Sequence, residues 1–266
     1  MAFHRARCTM SDVAVENMTS PNASTPKATS PARDRIVEAV ASAGSHAWLG
    51  RALTVPLRKL WLDVDMLGQE NVPTEGAVVL AANHLAFIDS LLVMYSLDRP
   101  VSFLGKAEYL NHPVARRLFP MTGMLPLDRT GKRARVTLRR VQEILSEGGV
   151  VGVHPEGTRS RDGMLNPGHS GVAQMALQAS APIVPVALIG TDVAQPVGTI
   201  VPGFRSKIEI HFGAPIGMGR WASNRRTRRA RTELSEEVMQ SIAALSGQQR
   251  SGLSQRSRYV PEPMLL

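Results

Sequence analysis

From residue 63 onward the chain alternates short apolar runs with longer amphipathic stretches, and this alternation constrains the fold more than any other feature. The runs at 77–82, 101–105, 124–127, 150–154, 183–189 and 207–212 have the length of strands and are too short for buried helices. Between them the pattern changes period. Ala134, Leu138, Val141 and Leu145 recur at steps of four, three and four, which predicts one apolar helix face, and Gly148-Gly149 ends that helix. Strands alternating with helices of this length predict a single α/β domain with a largely parallel central sheet flanked by helices. Ligands of such sheets bind beyond the carboxyl ends of the strands, so those ends are where chemistry is to be sought.

Each end carries reactive side chains. The first run delivers Asn83-His84, and five residues after the histidine stands Asp89, in the opening turn of the next helix. The second leads into Lys106 and the third into Asp128-Arg129. The fourth leads into "HPEGTRS", where Pro155 and Gly157 force a turn holding Glu156, Thr158 and Arg159; the fifth leads into Gly190-Thr191. Taken singly these signals are weak. His84 could cap a strand while Asp89 starts a helix, "PEGTRS" could be a solvated loop, and Asp128 with Arg129 a surface ion pair. Placed in order at the ends of parallel strands, they predict one site with a base, carboxylates and cations, suited to proton transfer and phosphate binding.

The rest of the chain is organised around that domain, set at residues 63–247. With 31 Lys and Arg against 22 Asp and Glu, the net charge is +9, which points to an anionic partner such as a membrane surface, nucleic acid or a phosphorylated metabolite. A single cysteine, Cys8, excludes a disulfide framework within one chain. Residues 1–33 lack an apolar signal core and are rich in Ser, Thr and Pro, so a disordered leader is expected, starting at Met1 or Met10. Residues 34–62 place Ile36, Val37, Val40, Leu49, Leu53, Leu57, Leu60, Trp48 and Trp61 among basic residues, the pattern of an amphipathic interfacial segment or of a helix packing on the core. Pro56 would divide it. No apolar run approaches the ~20 residues that a spanning helix needs, so the protein is expected to approach a membrane from one side. A flexible tail is expected over 248–266.

"NHLAFIDS", "GMLPLDRT", "HPEGTRS" and "APIVPVALIGT", in that order, resemble the four sequence blocks of the glycerolipid acyltransferases, the 1-acylglycerol-3-phosphate acyltransferases in particular. The resemblance covers roughly residues 45–247 and includes "ENVPTEG" and "FLGKAEYL". It implies a general base at His84 oriented by Asp89 and acceptor phosphate bound by Arg129 and Arg159; Lys106, by its place at a strand end, is the third candidate cation, and Asn83, Glu156, Gly157 and Thr158 are read as a supporting loop. Two positions depart from the family pattern. His154 stands where an aromatic residue usually opens the third block, and His169-Ser170 precede Gly171 where a lysine is common.

The implied reaction moves a fatty acyl group from a thioester, acyl-CoA or acyl carrier protein, to the free hydroxyl of 1-acylglycerol-3-phosphate, making phosphatidic acid. The thioester is a co-substrate, and neither a resident cofactor nor a metal is expected. The alternative acceptors are another lysophospholipid, glycerol-3-phosphate or a glycolipid. The expected setting is the cytoplasmic face of the cell membrane, held at the phospholipid surface by residues 34–62 or by the cluster Arg220, Arg225, Arg226, Arg228, Arg229 and Arg231. The cluster could equally be the solvated start of a helix running through Leu234, Val238, Ile242 and Leu245. Two rival classes fit worse. "GHSGV" at 168–172 lacks the final glycine of a hydrolase nucleophile elbow. Six Phe, three Tyr and three Trp are few for nucleic-acid stacking, and no nucleic-acid partner is expected.

Overall fold

The computed structural model describes residues 55–111, 122–128, 134–199 and 201–252. Seven strands form one sheet: β1 (Asp63–Leu67), β2 (Val78–Ala82), β3 (Val101–Lys106), β4 (Met124–Leu127), β5 (Val150–Val153), β6 (Ile183–Ile189) and β7 (Lys207–Phe212). Their spatial order is β1-β7-β6-β2-β5-β3-β4. The five strands from β2 to β6 are parallel to one another through their pairings, as the alternation predicts. β7 returns antiparallel to β6, and β1 runs parallel to β7. The carboxyl ends of β2 to β6 therefore share one edge with the amino ends of β1 and β7.

β2 lies at the centre with all five residues buried. Its alternation sends Val78, Leu80 and Ala82 into one apolar cluster and Val79 and Ala81 into the other, so both faces are covered, as a parallel sheet requires. Helix α1 (Asp89–Met94) supplies Leu92, Val93 and Met94 to the first cluster. The second is filled by α2 (Ala134–Ser146), α3 (Gly171–Ala179) and α5 (Arg228–Ser246); the short α4 (Thr191–Ala194) follows β6.

Two expectations need correction. β1 has no counterpart among the predicted runs. As an edge strand it is wet on one face, so its sequence DVDML alternates charged and apolar residues. In α2 the buried stripe is Thr137, Val141 and Leu145, with Leu138 turned outward. Val141 and Leu145 are buried as predicted, and Thr137 takes the place of Leu138: its hydroxyl donates a 2.5 Å hydrogen bond to the Pro126 carbonyl on β4, which satisfies a buried polar group that periodicity alone would place outside.

α5 joins the two edges of the sheet. It starts opposite the carboxyl ends: Arg225 bonds the Ser180 hydroxyl, just before β6 begins, and Ile216 bridges to Ile183 at the first residue of β6. The Thr227 side chain caps it by accepting from the Ala230 N–H at 3.1 Å, and Gly247, at φ 70°, closes it. The chain then reaches the carboxyl edge. Residues 248–252, placed in the tail by sequence, are tied there, with Leu165 bonded to the Gln249 carbonyl and Ser251 to the Leu165 carbonyl, each at 2.9 Å.

Candidate active site

Asn83 continues β2 one residue past its ladder. Its side-chain oxygen accepts from the Leu188 N–H at 2.7 Å and its amide donates to the Leu188 carbonyl at 2.9 Å, so a side chain imitates the backbone pairing with β6. The same amide donates to Gln248 Oε1 at 2.7 Å. The residue after it is thus delivered from a fixed, buried position.

That residue is His84. Its Nδ1 lies 3.0 Å from Asp89 Oδ2, and the two side chains are 18% and 0% exposed. Asp89 Oδ2 also accepts the backbone N–H groups of Leu85 at 2.6 Å and Ala86 at 2.8 Å. Burial pushes the Asp89 carboxyl upward, but the hydrogen bond and charge of His84 and the Ala86 N–H outweigh it and leave the group below its ordinary value. An ionised carboxylate therefore holds Nδ1 in its N–H form, and Nε2 carries the lone pair. The five-residue spacing works because the chain turns between the two residues; on one continuous helix they would stand about 140° apart.

The loop after β5 clamps this turn. Glu156 accepts the His84 N–H through Oε1 and the Asn166 N–H through Oε2, both at 2.8 Å, and the Ser160 N–H donates to the His84 carbonyl at 2.7 Å. Burial raises the Glu156 carboxyl to about 7, against its two principal backbone donors. Gly157 takes the left-handed conformation at φ 71°, where a side chain would strain the reversal, and its N–H donates to the His154 carbonyl at 3.0 Å. Glu156 and Gly157 thus shape the loop.

The cations are distributed unevenly over what the structure describes. Lys106, at the end of β3, and Arg159 and Thr158, in the loop after β5, are half-buried at the carboxyl edge. Arg129 lies outside the described residues, as does the amphipathic segment before residue 55.

Sequence reasoning missed three participants. His154 is buried with its ring stacked on His84, the centroids 3.8 Å apart and the planes 3° from parallel. Gln195 Oε1 accepts the Ile88 N–H at 2.9 Å, which ties the His84–Asp89 turn to the connection between β6 and β7. Gln248 reaches Asn83 from beyond α5. The signals for His154 were its place directly after β5 and its departure from the aromatic residue usual there; seeing its partner requires knowing that β5 pairs with β2, with Ala81 opposite Val153.

The same edge is apolar where it meets solvent. Nine large apolar side chains are exposed among the described residues, and seven of them belong to segments flanking this edge: Leu60, Trp61, Phe87, Val193, Val197, Val201 and Phe204. Trp61 meets Phe204 edge-on with centroids 5.0 Å apart and donates from its indole N–H to the Pro202 carbonyl at 2.8 Å. Exposed Lys59, Arg205 and Lys207 lie in the same segments.

Residues 63–189 match the family model described as "Acyltransferase". The match spans just under half of this chain and makes that part similar to the acyltransferases. The matched domain runs from β1 to the end of β6 and includes His84, Asp89 and the Glu156 loop. A chloroplast 1-acyl-sn-glycerol-3-phosphate acyltransferase of Brassica napus is 33% identical over 153 residues, 54% of this chain and 44% of that protein. A protein of the same name from Borreliella burgdorferi is 30% identical over 137 residues, 50% of this chain and 55% of the relative. The chain thus spans about half the length of these curated relatives. The crystal structure of the 1-acyl-sn-glycerophosphate acyltransferase PlsC from Thermotoga maritima superposes with a TM-score of 0.55 at 24% identity, over 80% of each chain, and shares the fold.

Proposed function

We propose that this acyltransferase moves a fatty acyl group from acyl-CoA or acyl carrier protein to the free hydroxyl of 1-acylglycerol-3-phosphate, making phosphatidic acid. The observation that carries the reading is the pair His84–Asp89, a half-open imidazole fixed through Nδ1 by a buried carboxylate. His84 Nε2 takes the proton as the acceptor oxygen attacks the thioester carbonyl, and Asp89 stabilises the imidazolium that forms. Collapse of the tetrahedral adduct breaks the carbon–sulfur bond, and the departing thiolate takes the proton back. Arg159 and Lys106, with Arg129, bind the acceptor phosphate through charge-assisted hydrogen bonds. The names of the Brassica and Borreliella relatives support this acceptor over another lysophospholipid, glycerol-3-phosphate or a glycolipid.

A lipid acceptor has to arrive from a bilayer. Among the described residues no helix is long and apolar enough to cross one. The rim of Trp61, Val193, Val201 and Phe204, with Lys59, Arg205 and Lys207 beside it, is an apolar surface edged by cations at the mouth of the site, suited to an anionic leaflet. The enzyme is thus read as peripheral, resting this rim on the cytoplasmic face of the cell membrane. The decisive test is the purified protein with a panel of labelled acyl-CoAs, acyl carrier protein thioesters and lysolipids, the products identified by mass. Phosphatidic acid as the principal product supports the reading; acylation of lysolipids without a phosphate monoester, to the exclusion of lysophosphatidate, overturns the acceptor assignment.

A further inference from the structure

The Asp89 bond fixes one point of the His84 ring. A ring held at one nitrogen can still swing about that contact, and the direction of the Nε2 lone pair swings with it. The face of the ring is held by something else. His154 lies parallel to it, 3.8 Å between centroids and 3° between planes. His154 is itself fixed at both nitrogens: Nδ1–H donates to the Ala82 carbonyl at 3.1 Å, and Nε2 accepts the Ser90 hydroxyl at 3.0 Å. Those partners come from the end of β2 and the first turn of α1, the two elements that carry His84 and Asp89.

The support continues into the sheet. Phe103 on β3 packs against the His154 ring with centroids 4.7 Å apart. Phe103 stands opposite Gly152 in the β3–β5 register, and a Cβ on Gly152 would come within 2.1 Å of the Phe103 ring. A glycine at 152 is therefore what lets the phenyl ring lie across β5 beneath the imidazoles. Three rings and the space left by one missing side chain form a continuous support from the centre of the sheet to His84.

We propose that His154 is a positioning residue for His84, a flat ring locked at both nitrogens against which the imidazole of the base is held so that Nε2 faces the incoming hydroxyl. The proposal rests on the reading of His84 as general base. Burial, followed by the charge of His84, pushes the His154 imidazole down to about 3, so the supporting ring stays neutral beside Asp89 and does not take the proton meant for its neighbour. An aromatic residue at this position, as in the family pattern, would offer the same face without the two hydrogen bonds.

The test compares wild type with His154→Phe, His154→Ala and His84→Ala in steady-state kinetics, thermal denaturation and histidine-selective ¹⁵N spectra. His154→Ala should lower kcat at least about tenfold with KM changed less than about twofold, and His154→Phe should keep at least about a third of kcat. The spectra should show single, sharp His84 ring resonances in wild type and His154→Phe, and exchange-broadened ones in His154→Ala, where the ring swings about an Asp89 contact that still holds the Nδ1 proton. If His154→Ala does not fold, His154→Phe decides: activity and a single, sharp set of His84 ring resonances support the proposal, and loss of either overturns it. Wild-type kcat in folded His154→Ala overturns it, as does a His154→Phe loss equal to that of His154→Ala. Full activity of His84→Ala would instead remove the base assignment, and the line-shape comparison would still judge the stack.

Discussion

At the edge where β2 to β6 end, the chain places Asn83, His84, Lys106, Glu156 and Arg159, and around them lie most of its exposed large apolar side chains. At the opposite edge, where those strands begin, lie the turns that reverse the chain and the arginines that open α5. Arg229 pairs with Glu233 one turn along at 2.6 Å, Arg220 pairs with Glu237, and the Arg220 guanidinium sits 4.2 Å over the Trp221 ring. The first edge buries Asn83 and Glu156 and leaves His84, Lys106 and Arg159 half-covered; the second keeps permanent charges in water and pairs them locally. One sequence thus carries two dense polar clusters, and direction along the strands separates them.

The largest difference between the edges should appear in turnover. His84→Ala is expected to reduce acyl transfer about 10²–10⁴-fold with the fold retained, since that is what a general base contributes. Asp89→Asn should cost less, because the base survives while its tautomer is no longer enforced. Substitutions at Arg225 or Arg226 should leave kcat unchanged. Steady-state rates with circular dichroism as the folding control check the set; more than about a tenth of wild-type activity in His84→Ala would remove the proposed mechanism.

Next in size is the acceptor contact. Arg159→Ala should raise KM for a phosphate-bearing acceptor, and Arg129→Ala should do likewise, each losing a charge-assisted bond of about 1.5–3 kcal/mol, or about 10–100-fold. kcat at saturation should fall less. Equal losses with an acceptor that lacks phosphate would assign these arginines to the acyl donor or to structure.

How much of this contrast is legible before folding depends on range. Met124–Leu127, Ile183–Ile189 and Lys207–Phe212 are found to the residue because strands buried on one or both faces write their own apolar pattern. His84 and Asp89 are legible because five residues of local chain bring them together, and Glu156 and Arg159 because the resemblance covers their block. β1 is hidden by its wet face, and Thr137 by a hydrogen bond to another element. His154 is the instructive failure. Its partner is 70 residues away, and only the β2–β5 pairing brings the two rings face to face. The apolar rim is likewise assembled from 60–61 and 193–204, none of which forms an amphipathic pattern with the others in sequence.

That rim should govern membrane affinity. Trp61 and Phe204 are 39% and 62% exposed and brace one another, so Trp61→Ala with Phe204→Ala removes two aromatic insertions and leaves the sheet intact. Each aromatic side chain moved from water to an apolar phase gains about 1.5–3 kcal/mol at full burial, so the pair should lower binding to anionic liposomes at least tenfold. The effect should persist at high salt, because apolar insertion is not screened as charge is. Wild-type flotation of the double variant would leave the rim without a membrane role.

The smallest expected effect belongs to the arginines. In sequence, Arg220 to Arg231 is as good a membrane anchor as the segment around Trp61, since an anionic leaflet attracts each basic residue by about 1 kcal/mol near its surface. The structure separates the two along the length of the strands. The rim lies where β1 and β7 begin; Arg225 bonds Ser180 where β6 begins, at the other end of the sheet. β6 has seven residues, which at about 3.3 Å each is more than two Debye lengths at physiological salt, so a leaflet touching the rim is screened from the cluster. Pairing with Glu233 and Glu237 further reduces the charge the cluster presents. The quadruple variant Arg225→Ala, Arg226→Ala, Arg228→Ala, Arg229→Ala should therefore float with anionic liposomes as wild type does at 0.15 M salt, while the Trp61 and Phe204 double variant does not. A quadruple variant that loses flotation at that salt, with the double variant unaffected, would turn the molecule over on the membrane and place the site on its far side.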